Sequence, residues 1–330
     1  MTFVKYMLVF SALIISSALF AQRNNAEAAD TDFEDQKYSV AIDKYKKAYS
    51  KEKNRDEKNR IRFQMAECYR MMNNSKRAEI YYKSLYRTDY YKKEPIVLLH
   101  YGNMMKINQK YDEAIPIFEE YIKLRPNDPQ GPDGIKSCNS QKQWVQNPTN
   151  HVILNLKDVN SRVDDFSPCY YSDNYNSLIF VSNREGSTGK DEDEWTGRSF
   201  TDLYLTRIDR KFEWSTPDLL DTEEKINSPS NEGSPMMNSG FTTLYFARCG
   251  NDKNQESGCH IYAVKKTGRS FGEPEYIHLG GDSTSKVVHP TLSEDEKTIY
   301  FTANFPNGYG GTDIYYATRR KMSDEFGIAK

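Results

Sequence analysis

Residues 287–316 read VVHPTLSEDEKTIYFTANFPNGYGGTDIYY. A proline is followed by a polar turn, an apolar-aromatic triplet, a glycine-containing loop and a short strand that ends in tyrosine. The same order of features occurs twice more, upstream in the chain. The prolines are Pro168, Pro235 and Pro290, and the triplets are Leu178-Ile179-Phe180, Leu244-Tyr245-Phe246 and Ile299-Tyr300-Phe301.

Short strands that recur about every 40 to 50 residues, with glycines and aromatics at fixed places, are typical of propeller blades. We therefore predict WD40-like β-propeller blades over residues 146–330, a fold that favours binding or scaffolding over catalysis. The aromatic segment that follows each copy begins again at Phe326 and stops at Lys330. Because rings of four to eight blades are usual, we expect the propeller to be incomplete and the chain to be part of a longer protein.

A different repeat occupies residues 22–145. A small residue stands 12 positions before an alanine three times, and an aromatic follows that alanine four positions later. Small residues allow two helices to approach closely, and an aromatic one turn away fills the space toward the next pair. This pattern predicts an α-solenoid of three helix pairs, so the fold class is an α domain followed by an all-β domain. The positions are Ala29, Ala41 and Tyr45, then Ala66, Ala78 and Tyr82, then Gly102, Ala114 and Phe118.

The N-terminus has the features of a secretory signal. Lys5 supplies a positive charge, residues 7–20 are apolar, and Ala21 is a plausible cleavage point. An apolar stretch of this length is short for a membrane span. We predict a signal peptide over residues 1–21 and an exported mature protein, and a retained membrane anchor is the alternative.

Charge and cysteine usage narrow the possible partners. Residues 22–147 carry 24 Lys/Arg against 19 Asp/Glu, a net of +5, and residues 148–330 carry 20 against 28, a net of −8. Neither part has the basic surface of a nucleic-acid binder. The five cysteines do not follow metal-site spacings. If the strands around residues 250–258 form a hairpin, Cys249 and Cys259 face each other, so we predict a disulfide there, with two free thiols as the alternative.

No constellation of catalytic residues is evident in the sequence. It contains no H-E-x-x-H, and its histidines are dispersed. Residues 268–272 match G-x-S-x-G, but they lie in the aromatic segment after the second repeat, and no helical pattern follows them as a nucleophile elbow requires. The acidic run at residues 191–194 lacks the ligand alternation of a calcium loop. We therefore expect no catalytic, cofactor-binding or metal-binding residues, and a protein that is not an enzyme.

The helical half resembles the tetratricopeptide repeat, over about residues 24–139. That resemblance implies a curved solenoid whose first helices of each pair line a concave, partner-binding face. A solvated surface without a partner is the alternative for each position. The implied positions are Arg60, Phe63, Glu67, Arg70, Leu99, Asn103 and Lys106.

The order of signal, tetratricopeptide repeats and WD40-like (TolB-like) repeats resembles a family of periplasmic proteins of Bacteroidota. Residues 244–246 and 313–315 carry the propeller part of this match. Members of that family continue into an OmpA-like domain that binds peptidoglycan, and one is a component of the type IX secretion system. The resemblance implies a periplasmic scaffold, associated with the outer membrane, that contacts other envelope subunits. Peptidoglycan would be bound only through a domain absent from these 330 residues.

A second function stays open at this point. The repeats in residues 146–330 could form a substrate-gating or substrate-binding domain of a larger peptidase or glycan-processing enzyme.

Overall fold

The computed structural model describes residues 25–189, 191–250, 258–268 and 270–330, so the predicted signal peptide lies outside the described residues. The chain forms two compact units. The first comprises the described residues up to Val152 together with Glu194–Gly197, and the second comprises Ile153–Asp193 and Arg198–Lys330.

The first unit is helical. Each helix packs against the next one in the chain, as expected for a stack of antiparallel hairpins. The helices are α1 (25–34), α2 (Tyr38–Lys51), α3 (Arg55–Met71), α4 (Ser75–Arg87), α5 (Ile96–Ile107), α6 (Tyr111–Leu124) and α7 (Gln130–Gln146), with a short 3₁₀ helix at Tyr90–Lys92.

Three of the turns between helices have the same backbone geometry. Gln36, Asn73 and Gln109 follow α1, α3 and α5 with φ of 63°, 55° and 64°. In each turn the next N–H donates to the carbonyl five residues earlier at 2.8 Å, which closes a Schellman motif. Because these residues are 37 and 36 positions apart, the three helix pairs are copies of one unit. The helical part of the predicted fold is therefore confirmed.

The core of this unit is built from the residues that define the repeat. The small residues and alanines allow helix axes to approach, and the aromatics fill the space between pairs. The fully buried members are Ala29, Ala41, Tyr45, Ala66, Ala78, Tyr82, Ala114 and Phe118.

Helix α7 adds a position that the sequence analysis did not assign to a repeat. Gly134 of α7 and Gly102 of α5 both face the ring of Phe118. A Cβ at Gly134 would lie 2.6 Å from that ring, and a Cβ at Gly102 would lie 2.7 Å from it. The side chain of Phe118 is thus enclosed between two glycines, and α7 caps the third pair as a further first helix.

The second unit is composed of antiparallel sheets. Their orders are β1-β2-β3-β4, then β5-β6-β7-β8 with β9 paired to β7, then β10-β11-β12. The strands are β1 (Asp165–Tyr170), β2 (Ser177–Ser182), β3 (Asp202–Arg207), β4 (Asp218–Leu219), β5 (Asn231–Met237), β6 (Thr243–Cys249), β7 (Cys259–Thr267), β8 (Ser270–Phe271), β9 (Glu275–Tyr276), β10 (Val287–Leu292), β11 (Thr298–Ala303) and β12 (Asp313–Thr318).

Each sheet repeats one backbone irregularity at its proline. The pairing register shifts within β1, β5 and β10, as at a β-bulge. The residue before each proline has a positive φ, which is 50° at Ser167, 51° at Ser234 and 57° at His289. The three prolines of the sequence repeat therefore mark three structural repeats. These sheets do not close into a ring within the described residues, so the structure supports repeated sheets and leaves the propeller as a proposal.

Neighbouring sheets bury equivalent positions, and the third sheet leaves them exposed. Leu203 of β3 and Ile261 of β7 are 0% exposed, whereas Ile314 at the same position of β12 is 79% exposed. Tyr245 of β6 is buried, whereas the equivalent Tyr300 of β11 is exposed. The third sheet thus presents, uncovered, the face through which the first two sheets contact their next neighbour.

The two cysteines of the predicted disulfide are opposite each other at the end of the β6–β7 ladder. The structure joins Cys249 and Cys259 with an S–S distance of 2.04 Å. Residues 251–257 of the enclosed loop lie outside the described residues. Cys68 is buried in α3.

Candidate functional site

A groove of about 440 Å³ lies on the helical unit. It contains three of the seven residues that the tetratricopeptide resemblance predicted, namely Arg70, Asn103 and Lys106. The other lining residues are Asn73, Ser75, His100, Met104, Ile107 and Gln130.

Helix geometry explains this convergence. Residues 100, 103, 104 and 107 of α5 follow helical spacing and share one face. Arg70 lies in the last turn of α3, and Asn73 and Ser75 belong to the following turn and the start of α4. Gln130 begins α7. The groove is therefore built from first helices of successive pairs and from one inter-helix turn.

Below the groove lies a buried carboxylate, Glu67, which is 6% exposed. Its Oε2 accepts hydrogen bonds from Arg70 Nε at 3.0 Å and Nη2 at 2.5 Å. Its Oε1 lies 2.6 Å from His100 Nδ1 and accepts a short hydrogen bond from the Tyr82 hydroxyl. Helices α3, α4 and α5 each contribute to this network, so Glu67 ties two consecutive repeats together.

Electrostatics keep this network charged. Burial alone would raise the pKa of Glu67, but hydrogen bonds from His100, Arg70 and Tyr82, together with Coulombic attraction to His100, outweigh it and lower the pKa to about 2. Burial and the neighbouring carboxylate raise the pKa of Tyr82, which therefore remains a hydrogen-bond donor. Both carboxylate oxygens of Glu67 are thus hydrogen-bonded beneath the groove, and Glu67 orients the Arg70 side chain that lines the groove.

The α5 wall of the groove carries two polar side chains without partners. Within the described residues, the side chains of Asn103 and Lys106 have no hydrogen-bond or ion-pair partner, so their N–H donors are available to a ligand. They stand one helical turn apart, close to the Arg70 guanidinium that lines the same groove. The only carboxylate of this network, Glu67, is already paired. What the groove can do chemically is bind a group rich in hydrogen-bond acceptors, preferably an anionic one.

The remaining predicted residues do not reach the groove. Leu99 is 2% exposed and belongs to the core, because its side chain faces the neighbouring helices. Its predicted role in contacting a partner directly is therefore corrected. Arg60 forms ion pairs with Asp30 and Glu57. Phe63 packs against the rings of Tyr82 and Tyr90.

Sequence reasoning missed His100, Ser75 and Gln130. The helical stripe of residues 100, 103, 104 and 107 could have identified His100. Gln130 was missed because α7 had not been recognised as a further first helix. The contribution of Ser75, whose hydroxyl donates to Asn108 Oδ1 at 2.7 Å, depends on the folding of the turn and carries no sequence signal.

Two further features were sought in the described part of the chain: a membrane-spanning helix and a metal site. Its helices do not combine the length and hydropathy needed to cross a bilayer. Groups of three or more His, Cys, Asp or Glu side chains arranged to hold a metal ion do not occur among the residues that the structure describes.

Comparison with known proteins gives little further information. No protein-family model matches the chain, and no curated protein matches it. One similar solved structure is the Sgt2 TPR domain from Aspergillus fumigatus, with 15% identity and a TM-score of 0.32 over 43% of this chain and 92% of that chain. Another is a Mycobacterium tuberculosis puromycin-hydrolyzing peptidase, with 15% identity and a TM-score of 0.33 over 51% of this chain and 24% of that chain. Both TM-scores are too low to carry an argument about function.

Proposed function

We propose that this chain is a non-enzymatic scaffold protein whose helical repeats bind another protein through the groove beside α5. The observation that carries the proposal is the pair of unpartnered donors Asn103 and Lys106 beside Arg70, above a carboxylate that is already satisfied. Such a surface favours an acidic segment of a partner, because charge-assisted hydrogen bonds are the strong ones. The net positive charge of residues 22–147 supports the same polarity.

We further propose that the scaffold works in the cell envelope, in the periplasm and at the outer membrane. The secretory signal and the order of repeats resemble periplasmic proteins of Bacteroidota, and among these the PorE component of the type IX secretion system. Partners would be other subunits of an envelope complex. Peptidoglycan would be reached through a domain outside these 330 residues.

The three sheets are proposed to be blades of an incomplete WD40-like propeller. The repeated bulge before each proline supports this proposal. So does the uncovered face of the third sheet, where Ile314 takes the position that Leu203 and Ile261 hold in buried interfaces. A following blade would cover that face.

Peptide binding tests the groove. A fluorescent peptide rich in aspartate and glutamate is expected to bind the full chain, and a matched peptide rich in asparagine and glutamine is not. Lys106→Glu should weaken binding about tenfold or more, since a lost charge-assisted bond is worth about 1.5 to 3 kcal/mol. Lys123→Glu on α6, exposed and outside the groove, is the matched control. Equal affinity for the two peptides, or equal loss in both variants, would reject the groove as the binding site.

Cell fractionation tests the compartment. The full chain with its natural N-terminus is expected in the periplasmic fraction of an expressing bacterium, without residues 1–21. Recovery of the unprocessed chain in the cytoplasm would contradict the envelope proposal and leave the groove proposal standing.

A further inference from the structure

Two carboxylates are fully buried where the first and second sheets of the second unit meet. Asp202 begins β3 and Glu232 is the second residue of β5. The backbone holds these strand ends together, because the Glu232 N–H donates to the Thr201 carbonyl at 2.7 Å. The Thr201 hydroxyl donates to the Glu232 carbonyl at 2.8 Å. We name this junction of residues 201–202 with residues 231–232 the sheet seam.

One carboxylate oxygen in the sheet seam has no ordinary donor. Asp202 Oδ2 accepts a hydrogen bond from the Thr188 N–H. Asp202 Oδ1 is buried and accepts no bond from an N–H or hydroxyl of the described residues. The side chains within hydrogen-bonding reach of Asp202 are those of Thr188 and Glu232. A hydrogen bond between two carboxyl groups requires a proton on one of them.

Glu232 is well supplied with donors of its own. Its Oε1 accepts from the Ser228 hydroxyl at 2.5 Å and from Arg248 Nε at 2.8 Å. Its Oε2 accepts from the Ser228 N–H at 3.1 Å. The Arg248 guanidinium also donates to the Lys225 and Ile226 carbonyls, so it is fixed in place beside Glu232.

The charges in the sheet seam do not balance unless a proton is present. Among the residues that the structure describes, two ionised carboxylates would face one guanidinium, and a surplus buried charge is strongly unfavourable. The first sheet shows the balanced case, in which Asp165, three residues before its proline as Glu232 is, pairs with Arg184 at 2.6 Å. One proton on the Asp202–Glu232 pair restores neutrality and supplies the donor that Asp202 Oδ1 lacks. We infer that Asp202 and Glu232 share one proton and that this proton closes the sheet seam.

The surroundings set the direction of the pH response. Within the described parts of the chain, the groups facing the pair are Arg248 from β6, Ser228 from the β4–β5 connection and Thr188 from the β2–β3 connection, and Arg248 is the charged one of these. Burial raises the pKa of Glu232 to about 8, against the opposing effects of Ser228 and Arg248. Burial likewise raises the pKa of Asp202 to about 6. A carboxyl whose pKa is higher in the folded state stabilises the fold most below its unfolded pKa, so the sheet seam weakens as pH rises from about 5 to 8.

Infrared spectroscopy of the full chain tests the shared proton directly. At neutral pH the spectrum is expected to contain the carbonyl stretch of a neutral carboxylic acid. Glu232→Gln should remove this band, and Glu294→Gln, at an exposed carboxylate of the third sheet, should keep it. A wild-type spectrum with only ionised carboxylates at neutral pH would overturn the inference.

Hydrogen exchange tests the consequence for the sheet seam. After correction for intrinsic rates, protection of peptides covering β3 and β5 should fall at least about tenfold between pH 5 and 8 in the wild type. It should stay level in Glu232→Gln, whose amide can donate to Asp202 without a proton to lose. If that variant does not fold, Asp202→Asn is expected to flatten the same profile. Identical profiles in wild type and variant, or protection that depends on added calcium, would overturn the inference.

Discussion

Replacing Gly134 with alanine is expected to destabilise the helical unit, although alanine is the better helix former. The new Cβ would lie 2.6, 2.7 and 2.8 Å from three atoms of the Phe118 ring. Carbon atoms prefer separations of about 3.5 to 4.0 Å, so the overlap approaches 1 Å. The ring has little space to move, because Gly102 approaches the same edge of the ring at a comparable distance.

The magnitude follows from two opposing effects. Overpacking a core typically costs about 1 to 3 kcal/mol, and the enclosed ring places this site toward the upper end. Replacing glycine with alanine inside a helix raises the free energy of unfolding by about 1 kcal/mol through helix propensity. We therefore expect Gly134→Ala to lower the free energy of unfolding by about 2 kcal/mol.

Urea unfolding followed by far-ultraviolet circular dichroism is the assay, since the described α-helices belong to this unit. Lys136→Ala, on the exposed side of the same helix, is the matched control and should change stability by less than about 0.5 kcal/mol. Adding Phe118→Leu should relieve the overlap, so the double variant should be more stable than the sum of the single effects predicts. A Gly134→Ala protein as stable as the wild type, with additive single effects, would refute the enclosed-ring argument.

Three further predictions concern pH, backbone geometry and the disulfide. Because the pKa of Glu67 is lowered from 4.5 to about 2, its stabilisation is complete above about pH 4.5 and is lost toward pH 2. Between pH 4.5 and pH 2 the wild type should therefore lose about 3 kcal/mol more free energy of unfolding than Glu67→Gln. Parallel curves of stability against pH for the two proteins would contradict this prediction. Gln109→Gly should raise the free energy of unfolding of the helical unit by up to about 1 kcal/mol, and with it the thermal midpoint, because φ is 64° at this position. An unchanged or lowered midpoint would count against the turn geometry. Reducing the bond between Cys249 and Cys259, which are 10 residues apart, should lower the free energy of unfolding of the second unit by about 3 kcal/mol, according to the loop-entropy relation. Unfolding with and without reductant measures this difference. Alkylation of both thiols before reduction would contradict the bond itself.

The sequence predicted the repeats because their causes are local and periodic. Ala66, Ala78 and Tyr82 follow the spacing at which two helices bury small residues and an aromatic between them. Pro235 marks the bulge of β5 in the same way that Pro168 marks that of β1. Patterns of this kind do not depend on which residues pack against the helix or strand in the folded protein, so they can be recognised in the sequence alone.

The candidate site was predicted only in part. The repeat pattern assigns the first helix of each pair to one face, and it therefore correctly predicted three residues of the groove, namely Arg70, Asn103 and Lys106. Leu99 lies outside the groove, and helical position alone does not tell whether a neighbouring helix covers a side chain. The position of Gln130 in the groove depends on the packing of α7 as a further first helix. In that packing, the ring of Phe118 contacts Gly134 as well as Gly102.

By itself, the sequence determined which segments repeat, which residues of each repeat form its core and that two kinds of unit follow one another. Spacing and side-chain size specify these features, because they act within one turn of helix or one hairpin. Only the tertiary structure decided which polar groups of separate elements meet, as when Glu67 meets Tyr82 and His100, and when Asp202 meets Glu232. Those partners come from separate helices or separate sheets, and burial, which sets the strength of their interaction, exists only after the elements have packed.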